Sequence, residues 1–262
     1  MVYGRVAKGF RPGGPNVLPV GGVGGVPNFY GSDSLIDYEI GAKGDIPSAN
    51  LSFDADVFLI NWKDIQLLTL VNNTGVNVNG GTARSQGVEA DVTWTPVDRL
   101  TFNLNGAYTD AHLTQDTDPL LTDGLKGNPL PWSPKWSLAL SGDYQFEPIG
   151  DFAPYVGATW HYVGTRHSDF TGLLYQGAYG IPRAQYAIPS YNTLDLRAGV
   201  NWNTWDFEIY AKNLNGAKGI TGFAPYGTSI ASYYMSPAGP IGAANVTLMQ
   251  PRLIGAVLRW KY

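Results

Sequence analysis

"ARSQGVEADVTWTPVDRLTFNLNGAYTDA", residues 83–111, spells two ribbons around one turn. Val88, Ala90, Val92 and Trp94 alternate with Glu89 and Asp91; beyond TPVDR (95–99), Leu100, Phe102, Leu104, Gly106 and Tyr108 alternate with Asn103 and Asn105. A period of two places each set on its own face of a strand. One face is apolar without a break and the other is polar, so two different media must touch them.

The pattern extends in both directions. Alternation gives ten candidate strands at about 2–11, 34–46, 50–66, 84–95, 98–110, 133–146, 151–163, 191–203, 204–213 and 252–262, and helical periodicity is nowhere sustained. One face carries Ile36, Tyr38 and Ile40, then Phe53 and Val57, Leu138 and Leu140, Val156 and Trp160, Leu194 and Leu196, Phe207 and Ile209, Ile254, Ala256 and Leu258. The other carries Asp37, Glu39 and Lys43, Asp54 and Asp56, Asp143, Asp195 and Arg197, Asp206, Glu208 and Lys212, Arg259 and Lys261. A Lys or Arg facing lipid at mid-depth costs roughly 2–4 kcal/mol, so a bilayer would impose this segregation.

The spacers fall into two sizes in strict alternation. IPSAN (46–50), TPVDR (95–99), EPIGD (147–151) and NWNTW (201–205) are short and rich in turn formers, whereas 12–33, 67–83, 111–132, 164–190 and 214–251 are long. A soluble sandwich also alternates, but has no reason to gather every short turn at one end. An up-and-down transmembrane barrel does, with short periplasmic turns and long extracellular loops. Trp94, Trp136, Tyr162, Trp202, Trp205, Trp260 and Tyr262 stand near strand ends, where interfacial girdles form. The expected fold is all-β: an antiparallel up-and-down transmembrane barrel, or a partial barrel of about ten strands.

Composition narrows the function. Charged residues are 15% against a typical share of about a quarter, aromatics are 13% and glycines number 33, a mixture suited to strands and turns. A net charge of −4 with no basic stripe excludes the electrostatic footprint of nucleic-acid binding. The absence of cysteine removes disulfide frameworks, thiolate metal sites and cysteine nucleophiles together. No apolar run reaches the roughly 18 residues of a spanning helix, and the opening MVYGRVAKGF lacks the apolar core of an export signal.

Eight stretches, in order, resemble the C-terminal barrel half of TonB-dependent outer-membrane receptors: VYGRVAKGFRPGGPN (2–16), YEIGAKGD (38–45), FDADVFLINWKDIQL (53–67), the stretch quoted first, NPLPWSPKWSLALSGDYQF (128–146), LDLRAGVNW (194–202), WDFEIYAKNLN (205–215) and the closing LRWKY. No single motif is decisive; their ordered succession is specific. The resemblance implies an outer-membrane active-transport receptor of a Gram-negative bacterium, taking up a scarce ligand, most often a ferric siderophore. The implied partners are outer-membrane lipid, the barrel assembly machinery and, in an intact receptor, a plug domain and TonB. It also implies that the final strand, with Leu258, Trp260 and Tyr262 outward, is the signal read by the assembly machinery. Receptors of this class have roughly 22 strands and a plugged lumen, so ten strands are expected to be the C-terminal portion of one, residues 1–262.

Within the motifs, RPGG (11–14) is expected to end the first strand, with Gly13 and Gly14 permitting positive φ. Gly87 is either the family's glycine before an inward acid or a bulge. Trp62 in NWKDI is a girdle or a loop anchor.

For ligand capture the candidates are the loop aromatics Phe29, Tyr30, Phe170, Tyr175, Tyr179, Phe223, Tyr226, Tyr233 and Tyr234, with packing of the loops against one another as the plain alternative. No catalytic residue, resident metal or cofactor is expected. His112, His161 and His167 match no compact metal spacing, HSD (167–169) lacks a nucleophile elbow, and VGGVGGVPN (20–28) lacks the Lys-Ser/Thr step of a phosphate loop. A standalone porin or adhesin barrel and an outer-membrane hydrolase remain as alternatives.

Overall fold

A computed structural model describes all residues except 19, 23, 72–73, 175, 177–184, 226–234, 237–238, 241–243 and 261–262. Ten strands form one antiparallel sheet in chain order: β1 (Val2–Arg11), β2 (Asp33–Ile46), β3 (Leu51–Lys63), β4 (Ala83–Val97), β5 (Leu100–Leu113), β6 (Trp136–Gln145), β7 (Phe152–Val163), β8 (Tyr191–Trp202), β9 (Trp205–Lys212) and β10 (Leu253–Trp260). Each strand pairs with its sequence neighbour, and β1 and β10 stand at opposite ends of the order. The ten strands therefore form a wall, not a closed ring.

Register carries the sequence pattern across the whole wall. Ile40 pairs with Val57 and Val57 with Val88, which pairs with Tyr108. Leu104 pairs with Leu140, Leu140 with Trp160, Trp160 with Leu194. Ala198, Ile209 and Ala256 continue the face to the last strand. Because directly paired residues share a face, the apolar set is continuous. Ile40, Val57, Val88, Leu140, Ile209 and Leu258 are 43–64% exposed, and no second sheet lies over them among the described residues. Trp205 and Phe207, which a sandwich would bury, are exposed as well.

Aromatic rings border this face in two bands. At the short-turn end Trp94 meets Phe102, Phe152 stacks on Trp202 and Trp205 neighbours Trp260; at the long-loop end Tyr108 meets Trp136 and Trp160 stacks on Tyr162. Between Phe152 and Tyr162, β7 advances about 34 Å at the usual strand rise. At a tilt of about 35–45° this spans roughly 24–28 Å, close to the apolar band of about 25 Å on membrane barrels.

The short connections tolerate little variation. Asn50, Arg99, Gly150 and Asn203 have φ of 48°, 70°, 62° and 50°, the left-handed region that reverses a chain in few residues and that glycine and asparagine enter most easily. A register shift between Trp94 and Val97 absorbs the 98–99 turn.

One glycine expectation is corrected, and for Gly87 the bulge is excluded. Neither Gly13 nor Gly14 has positive φ. Gly13 is required by space, since a Cβ there would lie 2.3 Å from the Tyr30 carbonyl oxygen. Gly87 sits in unbroken register opposite Thr109, with a Cβ position 2.0 Å from the Tyr108 carbonyl oxygen and 2.9 Å from the Phe58 ring, so close approach and not a bulge explains it. In the glycine-rich 20–28 stretch, Val20 is fully exposed and a Cβ on Gly21, Gly22 or Gly24 would meet nothing within 4 Å.

The dry core lies at the long-loop end. Ile65, Leu67, Val76, Val78, Ala83, Ala111, Leu113, Leu121, Leu130 and Phe170 form one buried cluster, flanked by Leu18, Val26, Trp62 and Leu174. It is assembled from the tops of β3, β4 and β5, a hairpin pairing Gln66–Val71 with Thr74–Asn79, and the loops 114–135 and 164–174. Trp62 belongs here, under the Arg11 guanidinium at 4.9 Å, so of its two expected roles the loop anchor is the one observed.

Candidate ligand-binding site

The inner face of the wall supplies ion pairs. Arg5 on β1 donates to Asp37 at 2.8 Å and also reaches Glu39, both on β2. Arg259 on β10 donates to Asp206 at 2.7 Å and to Glu208 at 3.2 Å, and the Tyr155 hydroxyl lies 3.1 and 3.0 Å from those two carboxylates. The Arg197 Nε donates to Asp143 at 3.2 Å. Acids prevail on β2 to β4, where Asp37, Glu39, Asp56 and Glu89 line a concavity of about 290 Å³ with Arg5. His161 faces the same side from β7 and lines another hollow of similar volume with Glu89 and Asp91.

Above the wall the loops are cross-tied rather than free-standing. The Thr69 hydroxyl donates to the Leu121 carbonyl at 2.6 Å, joining the 66–79 hairpin to the 114–135 loop. The Asn16 amide donates to Asn77, and Asn79 donates to Gly31 and Asp64. Asn213, buried at the top of β9, donates to Ala217 and Gln250 and accepts from the Ala217 N–H, closing the base of the longest loop.

The expected ligand-facing aromatics divide by burial. Phe29 is 71% exposed and Tyr30 half-buried, on a short ribbon pairing 14–15 with 29–30. Phe223 is half-buried with its ring 5.3 Å from Tyr186. Phe170, at 1% exposure, fills the centre of the loop core, the packing role weighed beside ligand contact. Tyr175, Tyr179, Tyr226, Tyr233 and Tyr234 lie outside the described residues, as does Tyr262. Leu258 and Trp260 project from the apolar face of β10.

The histidines occupy three separate places. His112, at the top of β5, has Nδ1 3.3 Å from Asp110; His161 is on the inner wall; His167 is half-buried in the loop after β7. Burial lowers the His167 pKa and raises that of Asp169, the latter opposed by an N–H bond from the Trp132 indole at 3.3 Å.

Sequence reasoning did not single out the group around Arg166. This side chain is 7% exposed, with its guanidinium carbon 5.9 Å from the Trp132 ring centre and 5.3 Å from that of Tyr191. Its Nη2 donates to the Ile220 carbonyl at 2.8 Å. The Trp132 backbone N–H donates to the His167 carbonyl at 2.9 Å, and Tyr191 is roofed by Gly219, where a Cβ would lie 2.6 Å from the ring. Three loops and the top of β8 thus converge on one cation.

A greasy outer face, a polar inner face and loops gathered at one end meet their match among known proteins. The family described as TonB dependent receptor-like, beta-barrel matches residues 1–214. The chain belongs to the TonB-dependent receptor β-barrel family. It is 27% identical over 179 residues to the pesticin receptor of Yersinia pestis, covering 68% of this chain and 25% of that one. It is 26% identical over 225 residues to the metal-pseudopaline receptor CntO of Pseudomonas aeruginosa, covering 82% of this chain and 28% of the relative. The chain thus spans about a quarter of the length of the curated relatives it matches.

Solved structures agree in fold. The ferric yersiniabactin uptake receptor FyuA from Yersinia pestis superposes with a TM-score of 0.71 at 23% identity, over 100% of this chain and 35% of that one. The siderophore receptor PiuA from Acinetobacter baumannii gives 0.65 at 18% identity, over 100% and 34%. Family members of this kind are receptors with a barrel wall, so the wall described above is a TonB-dependent barrel wall.

Proposed function

We propose that residues 1–262 form the C-terminal part of the barrel of a Gram-negative outer-membrane receptor that takes up a ferric siderophore by TonB-dependent transport. The observation carrying the membrane reading is the apolar face that runs across ten strands, with Lys8 on β1, opposite Ile36, as a charge at its edge, between two aromatic bands. Trp94, Trp136, Tyr162, Trp202, Trp205 and Trp260 are then its interfacial girdles, in contact with outer-membrane lipid. The long-loop end faces outward and the short turns face the periplasm. The ligand class is supported by relatives whose names specify a metal-pseudopaline receptor and a ferric yersiniabactin uptake receptor.

In this reading the polar inner face lines the lumen and meets a plug domain, and plug movement is coupled to TonB. Phe29, Tyr30 and Phe223, with Tyr175, Tyr179, Tyr226, Tyr233 and Tyr234, contribute aromatic contact area to the incoming chelate. The strand containing Leu258, Trp260 and Tyr262 is presented to the barrel assembly machinery.

The test is iron uptake by cells carrying the receptor polypeptide that contains this chain, with a panel of ferric chelates in tonB-competent and tonB-deficient backgrounds. Saturable uptake of one chelate that disappears without TonB is expected. Uptake that persists without TonB and is indifferent to the chelate would replace the receptor with a porin.

A further inference from the structure

A buried guanidinium is costly unless an anion or a full set of hydrogen bonds compensates it. Arg166 has neither. Its Nε is buried without a hydrogen-bond partner, and among the described residues its one acceptor is the Ile220 carbonyl. No carboxylate lies within 4.0 Å of it among the described residues, and Asp169 spends its contact on Trp132. The flanking chain offers none either. Residues 170–190 and 213–252 contain no Asp or Glu, while they carry Arg183, Lys218 and Arg252. This is the reverse of the acidic inner wall on β2 to β4. In sequence, the loops 164–190 and 213–252 carry four Arg or Lys residues and one acid, Asp169.

We propose that Arg166, beside Trp132 and Tyr191, is the docking point for a carboxylate of the transported ligand. The inference rests on the receptor reading above and adds the ligand's chemical class: an anionic, carboxylate-bearing chelate, in preference to an uncharged one. The planar guanidinium presents Nε and Nη2 as a fork that matches two carboxylate oxygens. The Trp132 and Tyr191 rings, 5.9 and 5.3 Å from the guanidinium carbon, favour the cation. Taking both donors requires a carboxylate to displace the Ile220 carbonyl, so ligand entry moves the ribbon that pairs Ile220–Pro225 with Ala244–Leu248.

The experiment is calorimetric titration of the receptor polypeptide that contains this chain, in lipid vesicles, with ferric citrate, an uncharged ferric trihydroxamate, and iron-free citrate, alongside uptake of the two ferric chelates by cells. Wild type should bind ferric citrate ~10-fold or more tighter than the trihydroxamate, the scale of a hydrogen-bonded charge contact. In Arg166→Met that ratio should collapse to about one, and Arg166→Lys should restore part of it. Amide exchange at 220–225 should rise on citrate binding to wild type and stay flat in Arg166→Met, with protection of β7 and β8 as the control for folding. If iron-free citrate competes in wild type and not in Arg166→Met while no ferric chelate is taken up, the anion site stands and the iron reading alone falls. A wild type that binds no carboxylate, or a variant that loses both chelates in equal proportion, reduces Arg166 to a loop staple and overturns the proposal.

Discussion

The wall and the loop head obey opposite rules with the same residues. On the wall, leucine, valine and tryptophan point away from the chain and remain exposed; in the loop head, Leu113, Val76 and Phe170 are at most 1% exposed. Hydrophobic burial by the protein's own side chains therefore organises the loops, as in any water-soluble domain. The wall has no such interior, and its order comes from the hydrogen-bonded ladder and from the medium on its outer face. The difference teaches that the 66–79 hairpin and the loops 114–135 and 164–174 are a folded unit, fixed to the rim rather than dangling from it.

Opening a cavity in the head should have the largest effect. Leu113→Ala removes a fully buried side chain, and should cost about 2–5 kcal/mol of loop-head stability. Amide exchange should quicken at 65–80 and 114–130 while β7 to β9 stay protected. If the wall loosens equally, the two regions are one cooperative unit. Next comes Ile209→Lys, at mid-wall between Ala198 and Ala256 on the outer face. It should destabilise the vesicle-inserted receptor polypeptide that contains this chain by roughly 2–4 kcal/mol in denaturant titrations. The control Val257→Lys, on the inner face opposite Glu208, should cost far less, and similar losses for both would contradict the assigned faces.

Gly87→Ala tests the wall's own packing. The added methyl collides with the Tyr108 carbonyl oxygen and the Phe58 ring, and such overpacking typically costs about 1–3 kcal/mol. The smallest effect is expected at Asp169. Burial raises its pKa in the folded state, so the folded head holds a proton that the unfolded chain has released, and stability falls as pH rises above the unfolded value near 4. Asp169→Asn keeps an acceptor for the Trp132 indole, and should stabilise the head at pH 7 with no gain at pH 3. His167 acts in the opposite sense: burial lowers its pKa, so its contribution is present above about 6.5 and is lost on acidification below that value.

The wall was legible because period two is a local signal. Phe102 and Leu104 declare a face without knowledge of what lies beside them, and the ten strands emerged within a few residues of their observed ends, as with 98–110 against Leu100–Leu113. The loop core was not legible, since Leu67, Leu113 and Phe170 come from three connections with no shared period. Their meeting depends on loop closure in three dimensions. Gly13 and Gly87 stand out in the sequence, but the reason for each, close approach to a carbonyl oxygen of a neighbouring strand, does not: Gly13 needs no positive φ and Gly87 is not at a bulge. Arg166 escaped notice for a related cause: a lone arginine in a loop is unremarkable until its surroundings are known to lack an acid.

The open space around Gly21, Gly22 and Gly24 has a practical corollary. A short epitope spliced beside Gly21 and Gly22 would meet open space, and in the proposed receptor it would hang on the cell exterior. Antibody staining of intact cells could then score surface display of every variant above before any binding or uptake is measured.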